Sequence, residues 1–579
     1  MKREVRIKDI DVLVIGGGLA GTYAAIKAKE GGASKVVQVD KGHVGKSGNS
    51  CFGAGVMHVF FPEQDDLEDR IRRLARSLGY IAQQDLIQEY LEDSFEILME
   101  MDTLGVDFVK TAEGEIERRP GRGYYPIVMF RGFQLMDAMS RVARKRGVEQ
   151  VNKVMMTGLL TSDERVVGAV GFNLLDGDFY VFESHATVVA TGSTWYKGLL
   201  PGQRDCTGDG YAIAYRAGAF LSGAEVNDQL TNLMPARYDI GPGMNKYVGE
   251  GGIFLNSKGE RFMEHYNPRL KERAGLRILA TVFSIEAKRG NTPIYMDMTH
   301  FAPEQVRRLK EVLPLAMKMF ERVGIVESDR FVKLVEWMPC APVARPGLAV
   351  NSRFETSLPG LYVCGEAAAP QAVVTGLASA ATSGAKAGKY ATEYTAQEGT
   401  RASPVPGQVA ELREYTFKPL QMKDGIEPDQ VLLALQEVVI PYNVLLLRDG
   451  ERMRAAVQEV EDIRDNQVPF LAAYDPHYLR MAHEARNLTL VAEIQMRAAL
   501  FRTESRTALR EDYPYTDNKE WLQWILVKRG DKNMELKPEP VPIEKYPIQV
   551  QRSKTLHHLW QTAQNRGIVT LEGGKVKWV

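Results

Sequence analysis

The chain has 579 residues, 44% apolar and 25% charged, with 73 basic against 74 acidic side chains and a formal net charge of −1. The apolar share supports a sizeable core and excludes global disorder. The balanced charge argues against nucleic acid or an anionic membrane as the main partner, and the length suits about three or four structural units.

Met1 to Ile10 is charged and lacks the apolar core of a secretory signal. No run approaches the roughly 18 uninterrupted apolar residues of a membrane span, so a soluble cytoplasmic protein is expected. DVLVIGGGLAG (11–21) reads as a buried strand and a glycine turn, with a helix over 22–29 and a second strand, KVVQVD, over 35–40. That is a βαβ unit. Residues 63–110 carry a helical period. Val151 to Gly171 and Phe179 to Phe182 read as a hairpin, and TVVATG (187–192) as another buried strand. The pattern changes over 224–350, and a nucleotide-type strand returns at LPGLYVCGE (358–366), before a small-residue helix over 376–390. One domain is thus interrupted by another. A polar linker (397–407) leads to a helical stretch over 408–524, and the tail from about Lys532, rich in proline and charge, is expected to wrap the surface.

Cys51, Cys206, Cys340 and Cys364 form no CxxC pair, so neither a disulfide scaffold nor a metal or iron–sulfur site is expected. Cys51 and Cys364 read as small packing residues. The 52 glycines are the skewed number, and the informative ones cluster at 16–21, 48–55, 192–210 and 360–388.

The first cluster is a GxGxxG turn, Gly16-Gly17-Gly18-Leu19-Ala20-Gly21, between a strand and a helix. Gly16 makes the turn, Gly18 admits a pyrophosphate to the backbone, and Gly21 lets helix and strand approach. Asp40 closes the second strand, where a carboxylate accepts ribose hydroxyls; Lys41 beside it joins the cofactor set. Three further segments favour a flavin over a nicotinamide. Ser47, Gly48 and Asn49 form a loop over the pyrophosphate and isoalloxazine. Ala190, Thr191 and Gly192 end a strand, with Asp209 in the TGDG turn that follows. Gly365 and Glu366 end the late strand, and Gly376, Leu377, Ala378 and Ser379 open a helix toward the flavin pyrimidine, where its dipole acts on redox potential.

Together with TGDGYAIAYRAGA (207–219), GIFLNSKGERFMEHYNP (252–268), LPGLYVCGEAA (358–368) and FRTESRTALREDYPYTDNKEWL (501–522), these motifs resemble the flavoprotein subunit of the succinate dehydrogenase/fumarate reductase superfamily over nearly the whole chain. The resemblance implies an α/β fold: a Rossmann-like FAD-binding domain (1–223 and 351–400), an inserted α+β capping domain (224–350), and a C-terminal helical domain (408–531). An extension (532–579) is a possible partner contact. It implies an FAD-dependent oxidoreductase, paired in an oligomer with a ferredoxin-like iron–sulfur protein.

The departures concern the substrate side. Ser47 is followed by Gly48-Asn49 where many relatives attach FAD through S-H-T, so FAD is expected to be noncovalent. The histidines that handle dicarboxylates have no counterpart in EVNDQLTNLMP (225–235) or MPCAPVARPG (338–347), and Leu276 stands where the proton-shuttling arginine is expected, with Arg277 next to it. In places the chain is more similar to the α subunit of adenylylsulfate (APS) reductase: KSGN resembles its R-S-G loop, and Pro235-Ala236-Arg237-Tyr238 its P-x-R-F segment. The candidate catalytic set is His58 for proton transfer, Arg237 and Arg277 as anion clamps, and His265. Arg345 is a further candidate for the same cavity. The expected function is electron transfer between an anionic small molecule and an iron–sulfur partner. Alternatives are a soluble enoate reductase and a flavin relay protein with no substrate of its own.

Overall fold

The computed structural model describes residues 2–52, 55–120, 126–131, 134–198, 202–226, 231–237, 244–397, 403–515, 519–531, 533–550 and 557–579. Strand β1 (Glu4–Ile15) ends in the apolar run that the sequence marks, and Val12 to Val14 are completely buried. Helix α1 (Leu19–Glu30) crosses over to β2 (Val36–Asp40), which lies parallel to β1 with Val12 opposite Val36. Runs of Val, Ile and Leu are what a strand needs when helices cover both faces of a parallel sheet.

β3 (Glu149–Asn152), β4 (Val154–Ser162), β5 (Arg165–Asn173), β6 (Phe179–Val189) and β7 (Leu361–Val363) complete a seven-stranded sheet. Its spatial order is β3-β2-β1-β6-β5-β4, with β7 beside the far half of β6. β3, β2, β1, β6 and β7 are parallel; β4, β5 and the first half of β6 form an antiparallel meander. Helix α2 (Asp209–Arg216) follows β6.

The sheet is finished by chain returning from a long insertion. Leu221–Ser222, where the insertion leaves, pairs antiparallel with Gly347–Leu348, where it comes back. Between them a four-stranded antiparallel sheet runs in the order Thr231–Pro235, Val335–Pro342, Ile294–Asp297, Ile253–Leu255, accompanied by the short helix α3 (Met244–Gly249). It has its own core, in which Phe254 meets Phe283 edge-on at 4.9 Å and Trp337 at 6.1 Å.

Helix α4 (Leu377–Gln397) packs directly on α1. A Cβ built on Gly384 or Gly388 would overlap the carbonyl oxygen of Ala20 or Ala24, so only glycine permits this approach. Helix α5 (Pro476–Phe501) starts at Asp475, whose side chain accepts from the Tyr478 amide, and dominates the C-terminal helices.

The tail departs from its expected surface wrap. Gln523–Arg529 and Met534–Pro540 form a hairpin that pairs onto Leu221–Ser222. Helix α6 (His557–Asn565) buries Leu559, Trp560 and Ala563 in the core of the inserted sheet, and His558 Nε2 bonds the Tyr266 carbonyl at 3.0 Å. The spacing of Leu559, Trp560 and Ala563 is one helical face, a signal hidden by the surrounding polar residues. No helix among the described residues is long and apolar enough to cross a membrane.

Candidate active site

β1 stops at Ile15 and the chain turns sharply at Gly16, whose φ is +126° and whose added Cβ would overlap the Ala190 carbonyl. The turn is fixed by Asp40 at the end of β2. One carboxylate oxygen accepts the Gly17 amide at 2.6 Å; the other accepts the Gly42 amide at 2.7 Å and the Ser47 hydroxyl at 3.2 Å. Burial raises the Asp40 pKa above the ordinary carboxylate range, against the opposing pull of those amides. At the head of α1 the Leu19 amide donates to Ser50 Oγ at 3.2 Å, which brings the loop after Ser47 over the helix N-terminus.

A cavity of about 330 Å³ opens at the carboxyl ends of β1, β2, β6 and β7, the place where doubly wound sheets bind ligands. Gly16, Gly18, Leu19 and Ala20 line one end with Asp40 and Lys41. Ser47, Gly48 and Asn49 cover it, and Ala190, Thr191, Gly192 and Asp209 form its floor. Gly365, Glu366, Gly376 and Leu377 line it as well, where α4 begins, with Gly365 against Ala20. His58 stands at the same cavity, with its carbonyl held by Tyr90 Oη at 2.8 Å.

The shape and donors fit FAD. No atom lies within 4 Å of a Cβ built on Gly48, and the nearest to one on Gly376 is 3.8 Å away. These glycines leave open the space that a flavin dinucleotide fills. The helix N-termini of α1 and α4 both face the cavity, placing partial positive charge toward an anionic ligand. Glu366 is aimed by Ser193, whose hydroxyl donates to it at 2.6 Å and accepts Trp195 Nε1 at 2.9 Å. Tyr211 Oη donates to the Glu366 carbonyl at 2.5 Å. Lys41 Nζ reaches Asp209 and Glu484, both at 2.8 Å; their carboxylates outweigh burial and hold its pKa above the ordinary lysine value.

Other candidates fall elsewhere. Gly21 serves the packing of helix on strand, its added Cβ overlapping the Gly16 carbonyl. Ala378 and Ser379 are buried inside the first turn of α4, where Ser379 Oγ donates to the Gly376 carbonyl at 3.0 Å. Arg237 is 77% exposed and pairs with Glu336 at 3.2 Å; it does not line the cavity. His265 is exposed on a short helix, Met263–Tyr266, outside the cavity. Arg277 is buried and donates to the Ser77 carbonyl. Arg345 is buried too, donating to Thr375 Oγ1 at 2.7 Å and to the Val373 carbonyl at 2.8 Å. It thereby braces the turn before α4. Tyr238 lies outside the described residues.

Several lining residues are missing from the candidate set: Ser50, Phe52, Trp195, Gln203, Cys206 and Thr375. Ser50 is the last residue of the KSGNS flavin loop (46–50), so the motif itself carries the signal for it. The others belong to no motif. Burial pushes the thiols of Cys51 and Cys206 up to about 12, which keeps them protonated.

Residues 11–383 match the family model described as FAD binding domain, and 434–555 the model described as fumarate reductase flavoprotein C-term. The chain is 28% identical over 542 residues to an uncharacterized FAD-dependent oxidoreductase of Methanocaldococcus jannaschii, covering 90% of this chain and 96% of that protein. It is 28% identical over 551 residues to a subunit of the fumarate reductase (CoM/CoB) of Methanothermobacter marburgensis, with 91% and 98% covered. Among solved structures, adenylylsulfate reductase from Archaeoglobus fulgidus aligns with a TM-score of 0.78 at 21% identity, over 95% of this chain and 97% of that one. E. coli quinol fumarate reductase aligns with a TM-score of 0.81 at 20% identity, over 95% and 99%.

Proposed function

Because this chain belongs to the family of FAD-dependent oxidoreductases that includes the flavoprotein subunits of succinate dehydrogenase and fumarate reductase, we propose that it moves electrons between an anionic small molecule and an iron–sulfur partner protein. The observation that carries the proposal is the placement of His58, an imidazole able to hold or deliver a proton, on the wall of the cavity that holds FAD. Bound there, FAD supplies hydride transfer at N5. FAD is held without a covalent link, since Gly48-Asn49 follow Ser47 where an attached histidine would stand.

The residues divide the work. Asp40 takes the ribose hydroxyls on the lone pairs left by the Gly17 and Gly42 amides, which its two oxygens accept. The amides at the head of α1 take the pyrophosphate, and Glu366, steered by Ser193, takes hydroxyls at the flavin end. The amides of Gly376 and Leu377 face the pyrimidine ring and favour negative charge there. His58 holds or delivers the substrate proton. In this reading the inserted sheet is the cap of the substrate side, and its two connections pair with each other at Leu221 and Leu348. The names of the relatives, fumarate reductases among them, support an anionic substrate and a multisubunit setting. No group of His, Cys, Asp or Glu among the described residues is arranged to hold a metal, and the carrier of clusters in this reading is a separate protein.

A relay protein without its own substrate is the second reading, favoured by the positions of Arg237 and His265 outside the cavity. Native purification separates the two. Recovery of an iron–sulfur protein with the chain, together with reoxidation of the reduced flavin by a small anionic acceptor, supports the leading reading. Reoxidation by the protein partner alone supports the relay. A chain that purifies alone and reduces an enoate from a diffusible donor turns the assignment to a free-standing reductase.

A further inference from the structure

Helix α5 lies in the C-terminal helices, about 270 residues after the TGDG turn, yet one of its faces touches the flavin site repeatedly. Glu484 is 1% exposed and accepts Lys41 at 2.8 Å, Lys197 at 2.5 Å and Arg480 at 2.8 Å. One turn on, Asn487 Nδ2 donates to Asp209 Oδ1 at 2.9 Å. Val491 packs against Gly208, where an added Cβ would stand 2.7 Å from its methyl group. Gln495 accepts Tyr196 Oη at 2.9 Å and donates to the Val343 carbonyl at 3.1 Å. Residues 484, 487, 491 and 495 follow the helical repeat of three and four and so form a single stripe.

What the stripe touches is the cavity wall. Lys41 and Asp209 line it, Gly208 caps the helix that Asp209 opens, and Tyr196 follows the lining residue Trp195. Lys41 meets Thr207 at 2.7 Å, Asp209 at 2.8 Å and Glu484 at 2.8 Å. Without Glu484 its ammonium, only 14% exposed, keeps a single carboxylate partner. Burial works against ionised Glu484, but the surrounding lysines and arginine prevail and its pKa is depressed to about 2, so the carboxylate is charged at any physiological pH.

We propose that the 484–487–491–495 stripe of α5 is a positioning element of the FAD site, and that cofactor occupancy and docking of the helical segment are thermodynamically linked. The inference rests on FAD filling this cavity, which titration of the wild-type apoprotein with FAD tests by itself. Linkage is reciprocal: if α5 tightens FAD binding, FAD tightens the docking of α5 by the same factor.

The test uses full-length apoprotein titrated with FAD, and amide hydrogen exchange of the apo and holo forms. Glu484→Gln is expected to weaken FAD binding about tenfold, within the usual range of such couplings, and Asn487→Ala, a milder change, by a smaller factor in the same direction. Lys41→Met with Glu484→Gln is expected to be non-additive, as residues in one ion-pair network are. FAD is expected to slow exchange in the 484–495 amides. Arg497→Ala is the control, because Arg497 pairs with Glu493 and Glu461 away from the cavity; it is expected to lower Tm while leaving the FAD affinity unchanged. If Glu484→Gln yields no folded protein, Asn487→Ala and the exchange measurement decide. The proposal is overturned if the stripe variants behave like Arg497→Ala, losing Tm with FAD affinity within about twofold of wild type, or if α5 exchange is the same with and without FAD.

Discussion

The Ser193 hydroxyl donates to a Glu366 carboxylate oxygen at 2.6 Å, joining the loop after β6 to the loop after β7 at the cavity wall. These loops are far apart in sequence, because the inserted sheet lies between them. Hydrogen bonds to charged groups contribute about 1.5–3 kcal/mol, and Ser193→Ala also strips the acceptor from the Trp195 indole. The variant is expected to bind FAD at least tenfold more weakly, read by fluorescence titration of the apoprotein, with secondary structure retained. An unchanged affinity would show that Glu366 needs no such guide.

The contact of α1 with α4 gives a second expectation. Gly384→Val places atoms where the Ala20 carbonyl already stands, and a backbone oxygen in a helix has nowhere to move. Overpacking costs about 1–3 kcal/mol where side chains can yield; here the loss is expected at the upper end or beyond, seen as a lowered Tm and poor FAD retention. A variant as stable as wild type would mean the helices sit farther apart.

Lys246 on α3 is 5% exposed, and its ammonium meets the Val312 carbonyl at 2.8 Å. Burial alone lowers its pKa from 10.5 to about 7. The unfolded chain therefore binds more protons than the native one between pH 7 and 10.5, and stability rises with pH through that window. At about 1.4 kcal/mol per unit, the native state carries a penalty on the order of 4 kcal/mol at pH 7 and below. Lys246→Met is expected to be the more stable protein at pH 6, with the difference narrowing as pH approaches 10. Denaturant midpoints across that range give the answer, and parallel curves for the two proteins count against it.

Trp560 ties the tail to the inserted sheet. It is 1% exposed within a core that includes Phe254 and Trp337. Trp560→Ala is expected to cost about 3–5 kcal/mol and to open the inserted sheet to limited proteolysis sooner than the FAD-binding sheet. Simultaneous cleavage of both would show that the anchor is not local.

Legibility in the sequence followed the range of each interaction. Asp40 and the glycine turn were readable because a βαβ unit brings them together within about 30 residues through obligatory strand and helix geometry. The hairpin of β4 and β5 is readable from two apolar runs close together in the chain, and the returning β7 because a buried parallel strand is an unbroken apolar run. The stripe on α5 was not. Glu484 and Asn487 look like ordinary polar helix residues, and only folding across more than 270 positions reveals that they face Lys41 and Asp209. Trp560 was lost in a tail whose mean composition is polar. Local similarity points to Arg237 and His265, but it fixes chain position and not the direction in which a side chain points; Arg237 meets Glu336 instead of the cavity.

The most direct test of the account is anaerobic reoxidation of the photoreduced protein, followed by flavin absorbance, with fumarate and other small anionic acceptors, in wild type and His58→Gln. At least one acceptor is expected to reoxidise the flavin, and His58→Gln to slow this about 10²-fold or more, the scale of lost general acid catalysis, with FAD still bound. Equal rates for the two proteins with an acceptor that does react, or reoxidation only by one-electron carriers, would contradict it.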